Sequence, residues 1–337
     1  MLVRRCMGAR DIATLAALSG EIRAVAMEML REGAGSSLIA RTLSALNDAL
    51  SGRAIGLVAL QHRLPSVNWC WLAFGSEGRG EQTFITDQDN GIVFSALDTA
   101  EAKALRPHFL AFASEVNQAL AECGFPLCSG GIMAGNPDCC LSAAEWQARF
   151  VAWIRTPEPQ ALLNATIYFD FRHLLGHAEL ATSLRAYLVR ALNGAETFLR
   201  MLADNALVVE PPLGILRDFV AHDGKIDLKK YGARLFVDAA RVIGLTCPVS
   251  GTVERLRHAT TAGTLSVDDG EASISAFRAL QGIRLTVQLG RKDEDGADNN
   301  EVELGRLNGF DRQVLHESLK QARMLQQRLK VIYRIEG

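Results

Sequence analysis

Residues 69–94 read WCWLAFGSEGRGEQTFITDQDNGIVF, two short apolar runs joined by a polar segment. The runs at 69–74 and 91–94 are rich in aromatic and β-branched residues and are bounded by glycine and aspartate, a pattern typical of buried strands. The segment between them, residues 75–90, concentrates charge in a chain whose net charge is only −2. The stretch therefore predicts two strands joined by a connection that carries chemistry.

Helical patterns surround these two strands. Residues 9–63 carry apolar residues at spacings of three and four and predict a pair of N-terminal helices. Residues 101–123 predict an amphipathic helix, residues 124–137 predict a short strand and a loop, and almost every periodic segment after Ser142, including 158–175, predicts another helix. We therefore predict an α+β protein, with a mixed core that is preceded by helices and followed by a helical bundle. The predicted domains are an N-terminal helical segment at 1–64, a core at 65–155 and a helical domain at 156–337.

The composition argues for a folded protein without a partner selected by bulk charge. The chain has 337 residues, with 36 Lys+Arg against 38 Asp+Glu. This balance gives no reason to expect a nucleic-acid or membrane-surface binder. The N-terminus lacks the apolar core of a signal peptide, and no uncharged apolar run is long enough to span a bilayer, so we expect a cytoplasmic protein. An acidic stretch at 291–301 predicts an exposed loop.

The seven cysteines predict reduced thiols rather than a disulfide framework, because their number is odd and no export signal precedes them. Four of them crowd into one stretch, at Cys123, Cys128, Cys139 and Cys140. Their spacing lacks the paired C-x2-C knuckles of zinc sites. We interpret most of them as core residues.

The first part of the polar segment has the residue types of an anion site. Gly75 lets the backbone approach a ligand closely, and Ser76 adds a hydroxyl donor where a helix start would present free N–H groups. Arg79 supplies a planar cation suited to phosphate oxygens, and Glu81 is spaced to hold it in position. The alternative for Arg79 and Glu81 is a surface ion pair that contributes little.

The second part of the segment has the residue types of a metal site. Asp87 and Asp89 precede the second strand, where residues i and i+2 point to the same face, so both carboxylates converge. Two such carboxylates ionise together cheaply only around a cation, and oxygen-preferring Mg²⁺ is the natural candidate, with Mn²⁺ as the alternative. The competing interpretation is an Asx-rich turn before a strand.

These motifs carry a resemblance. Gly75-Ser76, ten intervening residues and then Asp87-x-Asp89 resemble the signature of the polymerase-β-like nucleotidyltransferase superfamily. The longer string GSEGRGEQTFITDQDNGIVF resembles a bacterial family of nucleotidyltransferases related to PII uridylyltransferase, often fused behind cyclic-nucleotide-binding and CBS domains. Later segments such as YFDFRHLLGH and KIDLKKYGARLFVDAARV are also similar, so the resemblance covers residues 35–330.

The resemblance implies a function. It implies a polymerase-β-like core and a C-terminal helical domain that binds substrate, with Mg²⁺ held by Asp87 and Asp89. The implied reaction transfers a nucleoside monophosphate from a nucleoside triphosphate to a hydroxyl of a protein or small molecule, and a PII-like signalling protein is one acceptor. The regulatory domains of the family are missing from the N-terminal residues, so we expect a stand-alone unit or one served by a separate sensor. A nucleotidyltransferase of the toxin–antitoxin type that acts on RNA is a weaker alternative, because the chain has no basic patch.

The family normally uses a third carboxylate to activate the attacking hydroxyl, and two residues are candidates here. Glu122 lies where the third strand of the superfamily would begin. Asp170 lies in an apolar stretch, where a buried acid is costly unless it is paired or used. Asp170 therefore either faces the active cleft as a catalytic residue or forms a structural ion pair with an arginine. Without a third carboxylate, the chain would be a degenerate nucleotide-binding regulatory module.

Other polar residues and surfaces have two interpretations each. Lys229 is placed to reach the triphosphate from the helical domain, and with Lys230 it is equally well explained as a solvated pair. His173 and His177 are four residues apart on a predicted helix, for which capping or surface roles are favoured over metal binding. The apolar N-terminal helices offer a surface for a homodimer.

Overall fold

The computed structural model describes residues 1–214, 219–221, 223–290 and 300–335. Most of the predicted acidic loop, residues 291–299, lies outside these ranges. The N-terminal part contains α1 (Leu2–Gly8), α2 (Ile12–Arg31), α3 (Ser36–Ala59), β1 (Trp69–Ala73), α4 (Gly75–Gly78), β2 (Asn90–Phe94), α5 (Thr99–Glu122) and β3 (Cys140–Ser142). The middle part contains α6 (Ala143–Arg155), α7 (Pro159–Tyr168), β4 (Arg172–Gly176), α8 (Ala178–Ala191) and α9 (Glu196–Leu207). The C-terminal part contains β5 (Lys225–Asp227), α10 (Arg234–Ile243), α11 (Thr252–Thr261), α12 (Val267–Gly290), β6 (Glu301–Glu303) and α13 (Gly309–Tyr333).

A four-stranded sheet organises the molecule, in the order β3-β2-β1-β4. Strand β1 runs antiparallel to both β2 and β4, whereas β2 and β3 are parallel. The two strands predicted from the quoted stretch are confirmed as β1 and β2. Their register pairs Ala73 with Asn90, so the segment that connects them leaves and re-enters the sheet at the same end.

The two faces of the sheet belong to two hydrophobic cores. Trp71 and Ile92 pack on one face with residues of α2, α3 and α5, such as Leu50. Cys70 and Val93 alternate with them and pack on the opposite face, in a core that continues through α6, α8 and the C-terminal helices. This alternation is the period-two pattern of a strand whose two sides are both buried. The predicted α+β class, with helices before the sheet and a helical region after it, is confirmed.

Two local predictions are wrong. Residues 172–176 form β4 rather than the end of a helix, because hydrogen bonding to the free edge of β1 outweighs the helical spacing of the apolar residues. No strand lies within 124–137, where every residue is described, and the third strand begins later, at Cys140. The sheet therefore takes a strand from beyond residue 155, the predicted end of the core. His173 lies in β4 and His177 precedes α8, so the two are not neighbours on a helix face.

The interpretation of most cysteines as core residues is confirmed, since all seven except Cys128 are buried. Among the helices for which coordinates are described, none combines the length and the apolar character that a bilayer crossing requires.

Candidate functional site

The turn after β1 places the Gly-Ser motif next to Asp89 of the aspartate pair. The amide of Phe74 donates to the carbonyl of Asp89 at 2.8 Å, which continues the pairing of β1 and β2 by one residue. Gly75 then adopts φ +55, a conformation that favours glycine. A Cβ at Gly75 would lie only 2.7 Å from Oδ2 of Asp89, so the close approach also excludes a side chain. Ten residues apart in sequence, the two motifs are in van der Waals contact in space.

Alternation along residues 87–90 orients the two aspartates. Gln88 and Asn90 are buried and accept hydrogen bonds from Asn117 at 2.8 and 2.9 Å, which anchors the start of β2 to α5. Asp87 is exposed and Asp89 is half-buried between these anchors. Because adjacent residues of an extended chain point to opposite sides, both carboxylates are directed away from α5.

The electrostatics of Asp89 favour a bound cation. Burial raises the pKa of Asp89 above its usual value, and the nearby charge of Asp87 raises it further. The thiol of Cys128 and the ammonium of Lys229 act in the opposite direction. A buried acid next to a second acid ionises most easily when a cation lies between them.

The donor set fits Mg²⁺. Asp87 and Asp89 provide hard carboxylate oxygens, which Mg²⁺ and Mn²⁺ prefer. Within the described ranges, no group of three or more His, Cys, Asp or Glu residues is placed to hold a metal. Mg²⁺ commonly binds through one or two carboxylates and takes its other ligands from water and substrate phosphates, so a pair is sufficient.

Ser76 belongs to the short helix α4 and lies close to the segment that carries the aspartates. Its hydroxyl lies 3.4 Å from Oγ1 of Thr86, across the loop and one residue before Asp87. The first amides of a helical turn have no partner within the turn, so those of Gly75 and Ser76 are suited to a ligand. The Gly-Ser turn and the aspartates therefore line one polar surface.

Arg79 and Glu81 form a buried clamp within the protein. The Arg79 Nε donates to Glu81 at 2.8 Å, and its Nη1 donates to Asp170 at 2.9 Å. The other oxygen of Glu81 accepts from the backbone amide of Thr252 at 2.6 Å, at the start of α11. Only 12% of either side chain is exposed, so the interpretation of a solvated surface pair is wrong. The two residues connect the loop after β1 to the C-terminal helices.

Asp170 is the centre of an arginine cluster. It follows α7, is completely buried, and accepts from Arg79, Arg241 and Arg255 at distances of 2.6–3.1 Å. Burial alone would raise its pKa, but the three guanidinium groups hold that pKa far below its usual value. Asp238 pairs with Arg241 as well and adds a second carboxylate to the cluster. Of the two interpretations of Asp170, the ion pair describes its observed contacts.

Two segments of the chain match models of known protein families. Residues 20–160 match the family described as "Putative nucleotidyltransferase DUF294", and residues 196–333 match the one described as "Putative nucleotidyltransferase substrate binding domain". The chain belongs to this nucleotidyltransferase family. No curated protein matches it.

The two matched segments divide the site between them. The nucleotidyltransferase segment contributes the Gly-Ser turn, the aspartate pair and Arg79, and the substrate-binding segment contributes Arg241 and Arg255. Asp170 lies in the interval between the segments and joins them through its arginines. The cluster therefore fixes the substrate-binding domain against the loop that carries the Gly-Ser motif.

Lys229 is a residue of the substrate-binding domain whose charge acts on Asp89. It opens a π-helical turn at Lys229–Ala233, and the Asp227 carboxylate accepts from its amide at 2.7 Å. Its side chain is exposed, and its charge lowers the pKa of Asp89. Lys230 has a different neighbour, because its ammonium lies 4.9 Å from the centre of the Tyr231 ring.

Glu77 is a site residue that the sequence analysis missed. It follows Ser76 directly and is buried. Burial raises its pKa to about 8, Asp48 and Asp89 raise it as well, and Arg172 lowers it. The other candidate, Glu122, is the exposed last residue of α5. The available signal for Glu77 was its position inside the charged run, but its burial depends on α3 and β4, which are distant in sequence.

Proposed function

We propose that the protein transfers a nucleoside monophosphate from a nucleoside triphosphate to a hydroxyl group, in a reaction that depends on Mg²⁺. The observation that carries this proposal is the contact between Gly75 and Asp89, because it joins a phosphate-binding turn to a pair of metal-binding carboxylates. Membership of the nucleotidyltransferase family supports it. In this proposal, the triphosphate lies along the surface formed by Ser76, Asp87 and Asp89.

Each residue then has a role that follows from its chemistry. Asp87 and Asp89 hold Mg²⁺, or Mn²⁺ in its place, which when bound neutralises phosphate charge and that of the leaving pyrophosphate. Ser76 and the amides that open α4 donate hydrogen bonds to phosphate oxygens. Lys229 approaches from the substrate-binding domain as a point charge. Arg79 and Glu81 act indirectly, by holding the loop in place.

The acceptor in this proposal is a hydroxyl group of a protein or a small molecule. A tyrosine of a PII-like signalling protein is the specific case, and it is supported only by the resemblance of the charged string to PII uridylyltransferases. Modification of such a protein would place the enzyme in signal transduction, under the control of a separate sensor.

The experiment combines calorimetry with a pyrophosphate assay. ATP, UTP, CTP and GTP are titrated with Mg²⁺ into wild type, Asp87→Asn/Asp89→Asn and Asp204→Asn, and pyrophosphate is measured in the same samples. Asp204 is exposed on α9 and provides a matched charge change away from the site. We expect one nucleotide to bind wild type and the Asp204 variant with slow pyrophosphate release, and the double variant to lose both. Equal binding by all three proteins would rule out the proposed site.

A second candidate function is a regulatory module that binds nucleotide without transferring it. The observation in its favour is that both carboxylate oxygens of the buried Asp170 accept hydrogen bonds from arginines, three of which surround it, so its observed contacts are structural. This candidate predicts saturable binding that requires both Asp87 and Asp89, with no pyrophosphate released from any nucleotide in the presence of any acceptor.

A further inference from the structure

A cavity of about 1070 Å³ lies beside the loop that carries the Gly-Ser motif. Its walls come from α3, α8, α11 and α12, and the loop residues 78–81 form part of its lining. Ser76, Asp87, Asp89 and Lys229 do not line it, so it is separate from the proposed nucleotide site. Ligand pockets in proteins commonly have volumes of about 300–1,000 Å³, so a molecule of nucleotide size would fit.

The cavity has an excess of positive charge. Seven arginines and three carboxylates line it. Arg79 and Arg172 are paired with acids, at 2.8 Å to Glu81 and 2.7 Å to Asp48. Among the described residues, no carboxylate pairs with the following four arginines, each of which lies on a different helix: Arg41, Arg190, Arg257 and Arg278. Arg41, Arg190 and Arg257 are exposed and Arg278 is partly buried, so the lining carries positive charge that no described carboxylate pairs with, in a chain whose overall charge is −2.

Polar atoms at the base of the cavity lack partners. Ser44 is 6% exposed, and its hydroxyl has no hydrogen-bond partner in the described part of the chain. The same holds for Nε of Arg278. Arg185, 7% exposed, donates to the carbonyls of Phe169 and Phe171 and the hydroxyl of Ser250, and no carboxylate of the described residues forms an ion pair with it. Buried groups of this kind are costly unless something satisfies them.

The rest of the lining is apolar. Phe277, Val189, Val253 and Pro248 contribute carbon surface between the arginines. A small inorganic ion would leave this surface exposed to water, whereas an organic molecule would cover it. The cations, the unpartnered donors and the apolar surface together specify the chemistry of a ligand.

We propose that this cavity is a second ligand site, which binds a small organic anion with an apolar body. This proposal goes beyond the proposed nucleotidyl transfer, because it uses none of the residues assigned to the triphosphate. The shared loop connects the two sites, since Gly75 contacts Asp89 and residues 78–81 line the cavity.

Fluorescence titration of the full chain with 8-anilinonaphthalene-1-sulfonate tests the site, because this probe has an apolar body and a sulfonate. EDTA is present so that no divalent cation contributes. Three variants are compared with wild type. Arg257→Gln/Arg278→Gln removes two cavity charges, Ala186→Trp fills the exposed mouth without a change of charge, and Arg10→Gln/Arg155→Gln removes two exposed arginines outside the cavity.

We expect saturable binding to wild type and to Arg10→Gln/Arg155→Gln, and at least tenfold weaker binding to each cavity variant. Inorganic pyrophosphate should displace the probe from wild type, because it competes for the same arginines. Equal affinity in all four proteins, or no saturable binding to wild type, would overturn the proposal.

The variant Asp87→Asn/Asp89→Asn separates this test from that of the proposed function. It should bind the probe like wild type even though it loses the binding of nucleotides. If it instead binds nucleotides normally, the proposed function is wrong. The second site is then still tested by the cavity variants, whose results do not depend on nucleotide binding.

Discussion

At the scale of single residues, Asp170 illustrates how a buried charge is maintained. Three guanidinium groups surround its carboxylate, and Asp238 and Glu81 balance part of their charge. Removal of one partner from a buried ionic cluster leaves the others uncompensated, which costs more than the net contribution of the cluster. The cluster therefore makes the fold sensitive to a change at Asp170 even though Asp170 is not assigned to the chemistry.

We expect Asp170→Asn to destabilise the protein by about 3–5 kcal/mol, because it leaves buried arginines without their common counter-charge. Urea unfolding followed by circular dichroism at pH 7 measures this loss, and Asp204→Asn serves as the exposed control with an effect of at most about 0.5 kcal/mol. A loss as small as that of the control would mean that the cluster does not hold the domains together.

Glu77 predicts an unusual dependence of stability on pH. In the folded chain its pKa is raised from 4.5 to about 8, mainly by burial and then by Asp48 and Asp89, with Arg172 acting against them. Between these two values the folded state holds a proton that the unfolded chain releases. The contribution of Glu77 to stability is therefore fully present below pH 4.5 and is lost as pH rises towards 8, with a slope of at most about 1.4 kcal/mol per pH unit.

We expect Glu77→Gln to flatten the fall in stability between pH 5 and pH 8, because the amide carries no proton that can be lost. Urea unfolding in EDTA at each pH measures the slope, with the exposed Glu271→Gln as the control. Parallel curves for wild type and Glu77→Gln would show that this carboxyl does not titrate in the window.

The sequence indicates candidate residues more readily than their partners. Gly75, Asp87 and Asp89 are recognisable as candidates because the roles proposed for them depend on residue type and short spacing. The partners of Asp170 could not, since Arg241 and Arg255 follow it by 71 and 85 residues and only the packing of α10 and α11 brings them together. For the same reason, the role of Arg79 was assigned to phosphate when its observed partners are carboxylates.

At the scale of elements, the short helix α4 is held by close backbone contacts. A Cβ at Gly78 would overlap the carbonyl oxygen of Asp170 and would lie 2.9 Å from that of Ala73. Backbone atoms cannot shift as easily as the end of a side chain, so the position requires glycine. Gly56, in the last turn of α3, has no atom within 4 Å of the equivalent position.

We expect Gly78→Ala and Gly56→Ala to change stability in opposite directions. The first should destabilise by about 3 kcal/mol or more through backbone overlap. The second should stabilise by about 0.5–1 kcal/mol, because alanine restricts the unfolded chain and fits the helix. Thermal unfolding of both variants beside wild type measures the contrast. A stabilised Gly78→Ala would contradict the close packing of α4 on the segment before β4.

Element prediction succeeded where local pattern and tertiary environment agree. Strands β1 and β2 have buried neighbours on both faces, and their apolar runs indicated this. Strand β4 was mistaken for helix because its residues follow α7 without a break in apolar spacing. The free edge of β1 determines its conformation, and a pattern read along the chain carries no information about that edge.

At the scale of the whole molecule, the substrate-binding domain packs on the nucleotidyltransferase segment through several elements, such as α12 against α3, and two of its other interactions differ in kind. The Asp170 cluster is a buried structural contact, whereas Lys229 is an exposed residue whose charge acts on Asp89. A change at Lys229 therefore leaves the buried contacts intact, so the binding role proposed for Lys229 can be tested separately from stability. The sequence left two interpretations of Lys229, a contact with the triphosphate and a solvated pair with Lys230, and the contact stays a prediction.

We expect Lys229→Met to weaken nucleotide binding about tenfold, equivalent to about 1.4 kcal/mol, because a point charge near the phosphates is lost. Its neighbour supplies the control. Lys230→Met removes an identical charge one residue away, but from a side chain that lies over the ring of Tyr231.

Calorimetric titration with the preferred nucleotide and Mg²⁺, at two salt concentrations, compares the two variants. Only Lys229→Met should also lessen the dependence of affinity on salt, since a lost phosphate contact removes part of that dependence. Equal losses for both variants would mean that the nucleotide responds to the general charge of the turn and that Lys229 makes no contact of its own.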